Sequence, residues 1–313
     1  MISYMLRHYV FSLVAIRHRS ENPFCGKEKL VKSPFVSVLV PAHNEEKVIG
    51  RLLQRLTELT FQKDKMEVIV INDQSEDATG QISESYASRW PNLVKVVNRD
   101  SGGNGKADVL NSGLRLAKGE VICCFDADYV PQTNILEDLL PHFSNSQIGA
   151  VQGKIFVLNE NESWIAKIAA LERIGGYRVS QYARDRLGLI AQYAGTVGLI
   201  RRDLLLDLGG FDPQILAEDN DLTFKIWLAG YRVKYVNYAQ SGEEGVIGLR
   251  QYWHQRSRWA TGHMQCAFAH MMPLLRSKRM QVKEKVDGLM LLCVYFVPVL
   301  VAFSWLFSVF LFV

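Results

Sequence analysis

Along the first half of the chain, runs of β-branched and aliphatic residues stop abruptly at polar ones. Phe35–Ala42 halts before His43, Glu67–Asp73 ends on a carboxylate, and Val94–Asn98 and Val121–Phe125 end in the same manner. Strands this continuously apolar fit a parallel sheet covered on both faces rather than a half-solvated one. Between them the period changes. Val48, Ile49, Leu52, Leu53, Leu56 and Leu59 fall on one helical face of Asn44–Leu59, and helices are predicted near Asp77–Trp90 and Lys106–Ala117. Alternating strand and helix predict an α/β fold, with a Rossmann-like, mainly parallel sheet and helices on both faces.

Beyond Ala150 the rhythm loosens. A strand is predicted at Ala150–Leu158, a long helix at Ser163–Leu187, a short turn and strand at Gly195–Ile200, and helix starts at Arg201 and Glu218. Arg250–Met271 reads as one amphipathic helix rich in aromatic and basic residues. Leu289–Val313 is an uncharged run of 25 residues, predicted to cross a bilayer as a single helix. Four regions follow: an N-terminal interfacial or linker segment (1–34), a catalytic domain (35–245), an interfacial helix region (246–288) and a membrane helix (289–313). Met1–Arg19, short, aromatic and basic, fits a helix lying in the membrane surface or a frayed segment, not a signal peptide.

Charge sharpens this picture. The chain carries 36 basic and 32 acidic side chains, a net charge of +4. Arg276, Lys278, Arg279, Lys283 and Lys285 crowd just before the apolar run. Basic flanks favour the cytoplasmic side of a span, so the catalytic domain is expected at the cytoplasmic face of the plasma membrane. No other basic stripe interleaves with aromatics, which speaks against nucleic acid as a partner. The five cysteines, Cys25, Cys123, Cys124, Cys266 and Cys293, have no CxxC spacing and read as small apolar residues in a reducing compartment.

The polar residues ending the strands carry the chemistry, because a doubly wound sheet gathers its ligands at the carboxyl ends of its strands. Asp126 and Asp128 are two carboxylates one residue apart at such an end. Both can reach one hard divalent cation, Mg²⁺ or Mn²⁺, that bridges diphosphate oxygens. Asp73 ends its strand where its carboxylate can accept a hydrogen bond from a base imide, with Asp77 capping the next helix. Pro41–Glu45 ends the first strand alike, making His43 and Glu45 candidates for the same nucleotide; His43 serves equally well as a satisfied loop histidine.

Ser101–Lys106 is glycine-rich and opens a helix, yet Ala107 stands where a phosphate loop needs a hydroxyl, which disfavours ATP hydrolysis. Lys106 can still approach a diphosphate or ribose. Glu218 and Asp219 open a helix, where acids either oppose the helix dipole or serve as a general base toward an attacking sugar hydroxyl. Displacement at an anomeric carbon needs one such base when a metal-bound diphosphate leaves, which implies inversion. Gln255, Arg258 and Trp259 share a helical face, and Arg256 lies beside them. Guanidinium forks suit diphosphate oxygens and an indole suits a sugar ring; the same helix would also sit well at lipid headgroups.

With these residues in place, the chain resembles membrane-bound family 2 glycosyltransferases of the GT-A fold, the branch of cellulose, chitin and hyaluronan synthases. The resemblance runs from about Val36 to Gly262. It rests on PAHNEE, IND at Asp73, GGNGKADVLNSGL, DAD at Asp126, GTVGLIRR, AEDNDLTFKIWLAGYRV and QRSRW in that order. It implies a UDP-sugar donor whose uracil meets Asp73, with Asp126 and Asp128 holding ribose and metal. It further implies Asp219 as the base, and Gln255, Arg258 and Trp259 on diphosphate and acceptor. The chain departs from the branch at Ala217, where many relatives carry threonine, and in having one apolar run where polymer-secreting members have several. A channel would therefore need a second copy or a partner membrane subunit. The expected activity is metal-dependent, inverting transfer of a hexose to a polysaccharide or membrane-lipid acceptor. The alternatives are a non-catalytic nucleotide-binding regulatory subunit and a nucleotidylyltransferase.

Overall fold

The computed structural model describes residues 2–18, 33–100 and 105–312. Cys25 and Ser101–Asn104 of the glycine-rich stretch lie outside these residues. Strands β1 (Val36–Ala42), β2 (Met66–Asp73), β3 (Val94–Arg99) and β4 (Val121–Cys124) pair in parallel in the order β3-β2-β1-β4. The sheet then changes direction. β7 (Gly198–Arg201) runs antiparallel to both β4 and β6 (Ile148–Val157), β8 (Arg232–Glu243) is parallel to β6, and the two-residue β5 (Val130–Pro131) closes the edge. The result is one eight-stranded, mainly parallel sheet.

Helices α2 (Ile49–Thr57), α3 (Thr79–Arg89), α4 (Gly105–Leu116), α5 (Ile135–Leu139), α8 (Arg202–Asp207) and α9 (Glu218–Leu228) connect the strands. The predicted helix over Asn44–Leu59 begins later, at Ile49, because Asn44 takes a positive φ of 56° and forms a turn instead. β-branched residues dominate the strands because their stiff side chains pack on a pleated surface. Val36, Val38, Val40, Val68, Val70 and Ile122 are fully buried. Cys123, Cys124 and Cys266 are buried free thiols.

The predicted helix Ser163–Leu187 is divided: α6 (Trp164–Arg173) passes through a wider π-helical stretch, Ile174–Gln181, into α7 (Tyr182–Leu187). A long helix, α10 (Leu249–Arg276), then crosses the site and leads to α11 (Val282–Leu292) and α12 (Phe296–Phe312). Here the structure corrects the expectation of one continuous membrane helix over Leu289–Val313. The chain breaks between α11 and α12, which bend by 63°, and among the described residues no single helix is long and apolar enough to cross a membrane. Pro298 accounts for the break: it has no N–H for the Val294 carbonyl, and its ring crowds that oxygen. α11 belongs to the folded domain, with Asp287 buried against Arg184 at 3.1 Å and Glu284 paired to Arg232 at 2.9 Å. α12, at 17 residues, is about 25 Å long by helical rise, short of a ~30 Å hydrocarbon core. Its side chains from Pro298 to Leu311 are exposed.

The N-terminal helix, α1 (Ile2–Arg17), packs by the face that carries Tyr4, Arg7 and the buried Phe11. Tyr4 donates to the Met290 carbonyl (2.7 Å), and Phe11 lies between the guanidiniums of Arg7 and Arg184. Ile2, Met5, Leu6, Tyr9, Leu13 and Ile16 face outward.

Candidate active site

β1, β2 and β4 end at one edge, and the loops leaving β1 and β2 are joined by hydrogen bonds. His43 donates through Nδ1 to the Asp73 carbonyl (2.6 Å), which fixes its tautomer. The Asn44 amide donates to Ser75 (3.0 Å), and Asn44 Oδ1 accepts from the Glu76 amide (2.9 Å). The Asp73 carboxylate takes Arg99 Nη1 at 2.9 Å through one oxygen.

Beside them, residues far apart in sequence meet. Lys106, in the first turn of α4, reaches Asp126 at 2.6 Å and Glu218 at 3.3 Å. Burial opposes its charge, but the two carboxylates outweigh that and hold the ammonium above its ordinary range. The Gly195–Gly198 turn closes between the two acidic segments. Thr196 Oγ1 accepts from the Asp126 amide (3.2 Å). Gly195 sits at φ +68°, where a Cβ would lie 3.0 Å from that of Asp219. Val197 holds φ +53°, which a β-branched residue adopts only under constraint, and Gln152 supplies it by bonding Ala194 N (2.8 Å) and Thr196 O (3.0 Å).

The edge is rich in carboxylates short of cations. Burial pushes the Asp128 carboxyl up to about 7, and Asp126, Glu243 and Glu45 add repulsion. Glu45 is raised by burial and then by Asp126 and Asp77; burial also raises Glu218 and Asp219. Asp219 Oδ1 accepts the neighbouring Asn220 amide at 2.7 Å. Among the described residues no three His, Cys, Asp or Glu side chains form a complete metal site. Asp126 and Asp128 offer the hard oxygen donors a divalent cation takes; Asp126 is already paired with Lys106, whereas burial and neighbouring carboxylates leave the charge of Asp128 uncompensated.

α10 approaches this edge closely. A Cβ on Gly262 would stand 2.6 Å from the Ala217 nitrogen, just ahead of Glu218, so glycine permits the contact. Trp259 lies under the guanidiniums of Arg256 (4.3 Å) and Arg173 (5.1 Å). Arg173 forks onto Glu243, its Nη2 2.9 Å from Oε2, and Tyr129 donates to the same carboxylate at 2.6 Å. Arg256 pairs with Glu172, which also accepts from Tyr252 (2.8 Å). Arg258 is exposed and Gln255 half-buried, and among the described residues neither makes a hydrogen bond or ion pair.

The structure thus brings Lys106, Asp126 and Glu218 into contact, with Asp219 in the same turn, and links Trp259 to Glu243 through Arg173. His43 and Asp73 form a separate hydrogen-bonded pair at the ends of β1 and β2. The sequence reading missed Arg173, Glu243, Tyr129 and the clamping Gln152. Arg173 looks like any surface-helix charge, and the Glu243–Glu244 pair following an alternating run was the one available signal. A cavity of about 550 Å³ lined by His142, Asp185, Trp227, Arg232 and Lys234 lies where β6 and β8 begin, away from these carboxylates.

Comparison with known proteins matches residues 37–209 to the model for glycosyl transferase family 2. A Bacillus subtilis (strain 168) protein named probable glycosyltransferase YdaM is 34% identical over 258 residues, 82% of this chain and 61% of the relative. The beta-monoglucosyldiacylglycerol synthase of Trichormus variabilis is 34% identical over 274 residues, 87% of this chain and 58% of the relative. The chain therefore spans about three-fifths of the length of these curated relatives. A solved structure of the mannosyltransferase PcManGT from Pyrobaculum calidifontis, in complex with GDP-Man and Mn²⁺, superposes with a TM-score of 0.68. It covers 96% of this chain and 86% of that one at 22% identity, a likeness of fold.

Proposed function

The chain belongs to glycosyl transferase family 2, and from that premise we propose that it moves a hexose, with inversion, from a UDP-sugar to a hydroxyl of a membrane lipid or glycan. One observation carries this reading: Lys106 bridges Asp126 and Glu218 and so draws two acidic segments about ninety residues apart to one sheet edge. The match to glycosyl transferase family 2 favours sugar transfer over a regulatory subunit or a nucleotidylyltransferase. Asp73 and His43 bind the base side of the donor, and Asp126 and Lys106 its ribose and diphosphate. Trp259, held by Arg173, meets the sugar or acceptor ring.

Asp126 and Asp128 would hold Mg²⁺ or Mn²⁺, which supplies charge neutralisation at the leaving diphosphate. Asp219 takes the proton of the acceptor hydroxyl as its oxygen forms the new bond to the anomeric carbon. The bond from that carbon to the diphosphate oxygen breaks on the opposite face, and UDP departs with the electron pair. A raised carboxyl makes Asp219 a better base near neutral pH than an ordinary aspartate.

The outward apolar faces of α1 and α12 favour a membrane-seated site at the cytoplasmic face, with the basic residues between Arg276 and Lys285 toward lipid headgroups. That seating, and the 34% identity to a diacylglycerol-glycosylating relative, favour a lipid acceptor over a polymer. The test is detergent-solubilised protein with Mn²⁺ or Mg²⁺, a panel of radiolabelled UDP-sugars and diacylglycerol micelles. UDP release with label in the chloroform fraction supports the reading; label in high polymer supports the glycan acceptor. No sugar transfer with any donor, or full turnover in EDTA, refutes the enzyme or the metal respectively.

A further inference from the structure

His263 stands one residue beyond the glycine that seats α10 against the Glu218–Asp219 turn, and the mechanism above leaves it unused. Its Nδ1 lies 3.2 Å from Asn220 Nδ2. Asn220 Oδ1 is taken by Gln192 Nε2 (3.3 Å), and Gln192 is fixed through its backbone by reciprocal bonds to the Gln181 side chain, each 2.9 Å. Asn220 must therefore donate to His263, so Nδ1 accepts and the ring proton sits on Nε2. Burial pushes the imidazole down to about 4, which keeps it a neutral donor at physiological pH. Nε2 makes no hydrogen bond among the described residues, and the residue is half-buried, which leaves this donor available to a ligand.

Two further contacts orient this donor. The residue that sets its tautomer, Asn220, also donates its backbone amide to Asp219 Oδ1 (2.7 Å). On the other side the ring meets Tyr295 at 5.0 Å, in the break between α11 and α12, where the apolar helix begins. A neutral donor of fixed tautomer thus lies between the expected base and the entry to the lipid-facing helix.

Resting on the proposed glycosyl transfer, we propose that His263 Nε2–H donates to the incoming acceptor hydroxyl oxygen and holds it toward Asp219, with the Tyr295 ring forming the wall on the α12 side. A neutral donor leaves the hydroxyl proton free for the carboxylate, whereas an imidazolium would compete for the charge of Asp219.

The experiment compares wild type, His263→Ala, His263→Gln and Tyr295→Leu, using UDP-glucose with diacylglycerol micelles. Transfer to lipid and hydrolysis of the donor by water are measured separately. Losing one hydrogen bond to the acceptor predicts about a tenfold rise in acceptor KM, or an equal fall in kcat/KM for the acceptor, in His263→Ala. Donor KM should stay at the wild-type level, and His263→Gln, which keeps an N–H, should recover part of the loss. Tyr295→Leu should raise acceptor KM alone. A donor KM raised as much as the acceptor KM in His263→Ala, with no rescue by glutamine, would reduce His263 to a packing residue and overturn the inference. Unchanged acceptor kinetics would overturn it too. Absence of both reactions in wild type would instead sink the glycosyltransferase reading.

Discussion

Asp128→Asn separates stability from function at this site. Burial and three neighbouring carboxylates lift the Asp128 carboxyl from 3.8 to about 7. Ionising such a group in the folded state costs on the order of 4 kcal/mol relative to the unfolded chain. Solvent on its partly exposed side lowers that to ~2 kcal/mol. The sign follows from the direction of the shift. Below 3.8 the carboxyl is neutral in both states and costs nothing; between 3.8 and about 7 the unfolded chain releases its proton first, and stability falls as pH rises. The asparagine variant escapes this penalty. In EDTA it should melt several degrees above wild type at pH ~8.5, and the difference should shrink at pH ~5. Added Mn²⁺ should raise the wild-type melting temperature and leave the variant nearly unmoved, because binding to the folded state alone stabilises it. Thermal denaturation in detergent, followed by tryptophan fluorescence, reads all three. A variant no more stable than wild type at high pH, or one equally stabilised by Mn²⁺, would refute the account of Asp128 as an uncompensated carboxylate awaiting a cation.

Asp219→Asn should lower transfer by roughly 10²–10⁴-fold without lowering the melting temperature, since it removes a strained charge; retained transfer in a UDP-release assay would remove the base assignment. Gly262→Ala forces a Cβ to within 2.6 Å of the Ala217 backbone nitrogen. The expected cost is about 1–3 kcal/mol of stability and a larger fractional loss of activity, as α10 is pushed from the Glu218–Asp219 turn. Urea denaturation alongside kinetics checks this, and an alanine variant with wild-type values for both would contradict the close approach. Leu306→Lys with Phe310→Lys places two charges on the exposed face of α12 and should shift the protein from floating with anionic vesicles toward the soluble fraction. Unchanged flotation would assign membrane binding to another surface.

Much was legible without coordinates, for identifiable reasons. The strands Val36–Ala42 and Met66–Asp73 are apolar on both faces, so composition alone announces a doubly covered parallel sheet, and the residues where they stop announce its ligand edge. Asp126, Asp128, Glu218 and Asp219 were readable because each follows a strand or opens a helix, a local feature of the chain. The direction change at β7 and the division of the helix after Arg173 were not readable, because both depend on partners distant in sequence; the break at Cys293–Tyr295 had a local signal in Pro298, which the uninterrupted apolar run outweighed. The apolar run from Leu289 reads as one span until α11 is seen to bury Asp287 against Arg184, which ties its first turns to the domain. Sequence by itself determined which groups end the strands and what chemistry they suit, since both follow from residue type and period. Only the tertiary structure decided which charges face each other: Lys106 between Asp126 and Glu218, Arg173 between Glu243 and Trp259, and Asn220 against His263. Contact across a hundred residues is set by how helices and sheet pack in space, and no local pattern encodes that.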